Sequence, residues 1–110
     1  WVYVDIDWTL IDYSSKHEQN IKLKEKTIEL LKSYERQWKS ITIRTGWDLS
    51  QKQKQLESLG ITRPIVSKYN YAGATAEIVI DDLDQAAFFL DSKIIAEKYI
   101  NINSIEEQII

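Results

Sequence analysis

The sequence predicts an α/β fold: a three-layer, Rossmann-like parallel sheet of four to five strands with helices on both faces. Three observations lead there. Short runs rich in β-branched and aromatic residues alternate along the chain with segments of helical periodicity, as successive βαβ units require. The first and fourth runs, VYVDI and AEIVID, are apolar at most positions, the pattern of strands buried on both faces. Both runs also end in carboxylates, Asp5 with Asp7 and Asp81 with Asp82.

The first strand is expected at Val2 to Ile6. The polar, turn-rich residues 11 to 20 lead into KLKEKTIELLKSYERQW, where Leu23, Thr27, Ile28, Leu31 and Tyr34 recur at helical spacing and predict the first crossover helix. KSITIRT alternates Ile41 and Ile43 with polar residues and predicts a second strand ending at Thr45 and Gly46. In DLSQKQKQLESLG, Asp48 stands as N-cap, Gln51 at the capping-box position, Leu49, Leu56 and Leu59 on one side, and Gly60 as the stop. A short third strand around Ile65 and Val66 follows Pro64, which suits a sheet edge. The fourth strand comes after the loop KYNYAGAT, then a short helix over DQAAFFLDS and a fifth strand over IIAEKYINI. SIEEQII predicts a terminal helix opened by Ser104 and Glu107.

With 110 residues, 44% of them hydrophobic, the chain is expected to form one domain, residues 1–110, with a core that needs no staple. A net charge of -3 offers no basic face for an extended phosphate backbone, so extended nucleic-acid binding is not expected, whereas a phosphorylated end is compatible. The absence of cysteine removes disulfides and thiolate metal sites, and a single histidine removes His-rich zinc sites. A metal here would be held by carboxylates, and so would be a hard cation such as Mg2+. No apolar run approaches a membrane span and no segment resembles a signal peptide, so no membrane association and a cytoplasmic location are expected. The chain begins at strand-like residues without an initiator methionine, and Trp1 is given no role.

With right-handed crossovers, every strand's C-terminal end lies along one sheet edge, where ligands of open parallel sheets bind. Asp5, Asp7, Thr45, Asp81 and Asp82 are expected there as neighbours, and Lys68, just past the third strand, can reach them. Asp5, Asp81 and Asp82 cannot all be ionised in a partly dry cleft without a counter-charge, which a divalent cation and Lys68 would supply. One Asp5 oxygen could then attack an electrophile, Asp7 move a proton, and Thr45 and Lys68 hold an anion. Phosphoryl transfer needs that inventory.

These residues resemble the haloacid dehalogenase superfamily. VYVDIDWTL is similar to its first motif, an apolar strand ending DxDxT. ITIRTG is similar to the second, Lys68 is the best placed lysine for the third, and EIVIDD is similar to the fourth, all in family order over residues 2 to 85. SKYNYAGATAEIVIDD also resembles the corresponding segment of small members associated with polysaccharide or nucleotide phosphates. The resemblance implies a magnesium-dependent phosphomonoester hydrolase working through an aspartyl-phosphate. Asp5 would be nucleophile, Asp7 general acid/base, and Thr45 with Lys68 the phosphate-holding pair. Asp5, the Asp7 main-chain carbonyl, Asp81 and Asp82 (directly or through water) would hold Mg2+. The intervals between motifs leave no room for a cap domain. A capless cleft suits a phosphorylated small molecule or the phosphorylated end of a larger substrate, or a cover borrowed from a second copy in a homodimer. Trp8, Thr9, Gly46 and Trp47 stand on the loops that would touch substrate.

Two positions depart from the family pattern: Trp8 stands where glycine is usual and Trp47 where arginine is often found. The pair would form an aromatic wall for a base or sugar, or fill space in a shortened protein, or block phosphate and leave a catalytically silent domain that binds a metal or partner. Thr45 alone is an ordinary strand threonine, and Lys93 and Lys98 compete with Lys68. His17 suits a solvated loop. Lys22, Lys24, Lys26 and Lys32, with Glu25 and Glu29 between them, read as the wet face of a helix. A phosphoacceptor receiver domain uses similar residues but phosphorylates an aspartate after its third strand, where this chain has Ser67.

Overall fold

Val2, Tyr3 and Val4 have no exposed surface, and a strand so apolar on both faces belongs at the centre of a sheet. The computed structural model, which describes residues 1–13, 22–46, 48–67 and 73–103, places it there. The elements in chain order are β1 (Val2–Asp5), β2 (Ile11–Asp12), β3 (Lys22–Leu23), α1 (Glu25–Arg36), β4 (Ile41–Thr45), α2 (Leu49–Ser58), β5 (Ile65–Ser67), β6 (Thr75–Asp81), α3 (Gln85–Ser92) and β7 (Ile95–Asn101). Five strands form a parallel sheet in the order β5-β4-β1-β6-β7. This is the expected Rossmann-like α/β class, with all five strands present.

Side-chain alternation assigns the faces. Val2, Val4, Ile43, Ile78 and Ile80 pack with Leu31 and Tyr34 of α1 and Leu56 of α2, forming the larger core. Tyr3 and Val79 point the other way and meet Phe88 of α3, with the Tyr3 and Phe88 rings edge-on at 5.1 Å. Two helices therefore cover one face and the third covers the other. Counting only the strands of this sheet, the spatial order is 3-2-1-4-5. The chain steps away from β1 to one side, then returns to continue on the other, so the switch point lies between β1 and β6. A receiver domain has the order 2-1-3-4-5, so that reading is set aside.

The element boundaries differ from expectation in one informative place. Lys22 and Leu23, read as the start of the first helix, pair antiparallel with Asp12 and Ile11 as a two-stranded ribbon. The Lys24 amide then donates to the Leu10 carbonyl, and α1 begins only at Glu25. The Asp48 carboxylate accepts from the Gln51 amide at 2.9 Å and opens α2 as expected, although Leu49 is exposed and Leu56 alone of its three leucines is fully buried. Gly60, at φ 90°, closes that helix in a conformation open to glycine. β5 is an edge strand, as Pro64 suggested. Asp84 caps α3 through the Ala87 amide. The terminal helix expected from Ser104 and Glu107 lies outside the described residues, as does His17.

The Tyr3 hydroxyl is buried without a hydrogen-bond partner among the described residues. Burial, then the charges of Asp5 and Asp81, raise its pKa, so it stays a phenol. Because Phe keeps the ring contacts and removes the unsatisfied oxygen, Tyr3→Phe is expected to stabilise the protein by about 1 kcal/mol in urea denaturation. A clear loss of stability would show that the hydroxyl is bonded after all.

Candidate active site

Register delivers the first part of the site. Val4 is the lateral partner of Ile80, so the next residues, Asp5 and Asp81, end adjacent strands at the switch point. Asp82 follows directly, and one carboxylate oxygen from each of Asp5, Asp81 and Asp82 lies within 4.8 Å of the others. Thr9, fully buried, turns its hydroxyl toward two of them, 3.2 Å from Asp5 Oδ2 and 3.4 Å from Asp82 Oδ1. One hydroxyl proton serves one acceptor at a time, so Thr9 cannot satisfy both. Asp81 Oδ1 accepts the Leu83 amide at 3.0 Å, which fixes the turn after β6.

The electrostatics follow from that crowding. Burial, then the charges of Asp81 and Asp82, raise Asp5 well above the ordinary carboxylate range. Asp81 is raised too, first by burial and then by Asp82, against the lowering effect of the Leu83 amide. Among the described residues no lysine or arginine forms a salt bridge with any of the three. The donors are all hard oxygens, their repulsion calls for positive charge, and the set fits a small divalent cation.

Asp7 belongs to a second group. Its Oδ1 accepts Lys52 Nζ of α2 at 2.7 Å and the Tyr13 hydroxyl, while Gln55 Oε1 accepts from Lys52 at 3.3 Å and from Tyr13 at 3.2 Å. Burial works against the Lys52 ammonium, but its bonds to Asp7 and Tyr13 outweigh that and raise its pKa. Tyr13 is raised by burial and then by Asp7. Both groups therefore keep their protons and hold the Asp7 carboxylate toward α2. The Asp7 carboxylate is thus not among the three that converge, and its expected part in metal binding was through its main-chain carbonyl.

The turn between the two groups is tight. The Ile6 carbonyl accepts the amides of Leu10 at 2.8 Å and Ile11 at 3.0 Å, and Trp8 N–H donates to Ile11 O at 3.1 Å. The Thr27 hydroxyl of α1 donates to the Thr9 carbonyl and ties the turn to the core. Trp8 takes φ 63°, the left-handed region where a bulky side chain is strained. Its ring is 48% exposed and stands edge-on to Tyr13 at 5.4 Å. Thr45 is buried at the end of β4, one residue past Arg44, the lateral partner of Asp5. Gly46 follows and is exposed. Lys68 and Trp47 lie outside the described residues.

Lys52, Tyr13 and Gln55 were missed by sequence reasoning. The i,i+3 spacing of Lys52 and Gln55 shows that they share a helix face, but nothing local says that this face looks at Asp7, 45 residues earlier.

No protein-family model, curated protein or solved structure shows a significant match to this chain. No helix among the described residues is long and apolar enough to cross a membrane.

The positive φ at Trp8 gives a direct test of the turn. Trp8→Gly and Trp8→Ala both lose the ring, so comparing them isolates the backbone. The glycine variant is expected to be more stable than the alanine variant by about 1 kcal/mol in chemical denaturation. Equal stabilities would mean that the turn re-forms with negative φ.

Proposed function

We propose that the chain is a magnesium-dependent phosphomonoester hydrolase of the haloacid dehalogenase type, acting through an aspartyl-phosphate. The observation that carries this reading is the convergence of Asp5, Asp81 and Asp82 at the switch point of a parallel sheet, buried and without a basic partner among the described residues. In that reading Asp5, Asp81, Asp82 and the Asp7 main-chain carbonyl would hold Mg2+. When bound, the cation neutralises the carboxylates and polarises the phosphoryl oxygens.

The chain's own residues then have defined tasks. Thr9 orients the Asp5 carboxylate by donating to Oδ2. An Asp5 oxygen attacks phosphorus, the phosphorus bond to the ester oxygen breaks, and Asp7, in its protonated form, gives that oxygen a proton so that it leaves as an alcohol. Water then attacks the aspartyl-phosphate while Asp7 takes its proton, releasing phosphate and restoring Asp5. Thr45, Gly46 and Lys68 would hold the transferring group, and the charge of Lys68 would offset its equatorial oxygens. The substrate is a phosphorylated small molecule or the phosphorylated end of a larger one. A cytoplasmic setting suits this chemistry.

A second reading is a catalytically silent domain that binds a metal or partner. It is favoured by the Asp7 carboxylate already holding Lys52 and Tyr13, which opposes its protonation. One assay separates the two. Release of phosphate from phenyl phosphate is expected with Mg2+, and is expected to fall by about a thousandfold or more in EDTA or in Asp5→Asn. Cation binding by calorimetry without any release of phosphate would favour the silent domain.

A further inference from the structure

We infer that the cavity between the Trp8 turn and the first turns of α2 receives the leaving group, and that this group is a neutral, polyhydroxylated ring, namely a sugar. The inference rests on the phosphatase reading and adds the substrate class to it.

Position comes first. The cavity has a volume of about 570 Å³, within the range of small-molecule sites, and the Asp7 side chain forms part of its wall. In the proposed chemistry Asp7 hands a proton to the departing oxygen, so whatever departs lies on this side of the Trp8 turn.

Its walls are aromatic on one side and amide on the other. Trp8 offers an open face, and Tyr13 meets it edge-on with the ring planes 61° apart. A flat nucleobase gains most between parallel plates, whereas the C–H face of a pyranose needs only one open ring face. Opposite stand Gln51 and Gln55. Gln55 Oε1 is occupied by Lys52 and Tyr13, which leaves its NH2 free to donate. The Gln51 amide has no side-chain partner among the described residues and can both donate and accept. Two amides presented in this way match neighbouring hydroxyls, each of which both gives and takes a hydrogen bond.

Charge narrows the class further. Lys52 is committed to Asp7 at 2.7 Å, and Asp48 caps α2 through the Gln51 amide at 2.9 Å. The wall therefore carries two carboxylates and one ammonium. A leaving group with a further phosphate meets excess negative charge there and no spare cation among these residues, so nucleoside di- and triphosphates are disfavoured.

The test is a comparison of kcat/KM, in magnesium, for glucose 1-phosphate, glucose 6-phosphate, mannose 6-phosphate, AMP, ADP and phenyl phosphate. The best hexose phosphate is expected to exceed AMP and phenyl phosphate by roughly tenfold or more, with ADP the poorest. In a Gln51→Ala, Gln55→Ala double variant, the ratio of hexose phosphate to phenyl phosphate is expected to fall toward one. If phenyl phosphate is cleaved in a magnesium-dependent way but no hexose phosphate is preferred, or AMP is preferred, the sugar subsite is overturned while the phosphatase reading stands. A ratio unchanged in the double variant overturns it as well. If no ester is cleaved, the phosphatase reading fails and the subsite fails with it.

Discussion

Three carboxylates held within hydrogen-bonding reach of one another, largely out of water, are the constraint around which this molecule is organised. Asp5, Asp81 and Asp82 raise one another's affinity for protons, and burial raises it further. Such a cluster opposes its own ionisation, and only positive charge relieves it. The surrounding structure serves to hold the group together. β1 and β6 deliver Asp5 and Asp81 side by side, the Leu83 amide fixes the second turn, and Thr27 of α1 anchors the turn that carries Thr9. The influence reaches the opposite face, where the phenols of Tyr3 and Tyr99 are raised by burial and then by these carboxylates.

The Trp8 turn divides the strand ends into two regions of different character. On one side lies the acid cluster, suited to a hard cation and a phosphoryl group. On the other, Asp7 is turned to Lys52, Tyr13 and Gln55, and the wall beyond is aromatic and amide-rich. A tryptophan at positive φ is a costly way to make such a turn, and glycine would make it without strain. A side chain retained in that conformation, half exposed beside a cavity, is best explained by contact with what enters the cavity. That is the physical content of the departure from the family pattern seen at this position.

Much of this was legible in the sequence. Apolar runs such as VYVD and EIVID could only be strands buried on both faces, and strands that end in acids on a parallel sheet must bring those acids to one edge. Asp48, Asp84 and Gly60 announced helix ends through local chemistry, and the structure uses each of them as read. What could not be read was decided at long range. Lys52 and Gln55 look like any wet helix face until α2 is docked beside Asp7. The ribbon of Ile11–Asp12 with Lys22–Leu23 has two residues per strand, too few for a periodic signal, and it displaced the expected start of the first helix. The conformation of Trp8 follows from the bonds that Ile6 and Ile11 make around it, not from any preference of tryptophan.

The central claim is that the carboxylate cluster is built to hold a divalent cation, and unfolding free energy against pH tests it most directly. Asp5 and Asp81 hold protons more tightly folded than unfolded, so without a cation stability falls as pH rises from about 5 to about 8. Magnesium binds the deprotonated cluster and competes with those protons, so it should stabilise the protein far more at the upper pH than at the lower. His17 titrates in the same range, and the difference between EDTA and magnesium at each pH removes its contribution. The account predicts a magnesium-dependent gain that grows with pH and is largely lost in Asp81→Asn. A protein whose stability is indifferent to magnesium at both pH values would contradict it.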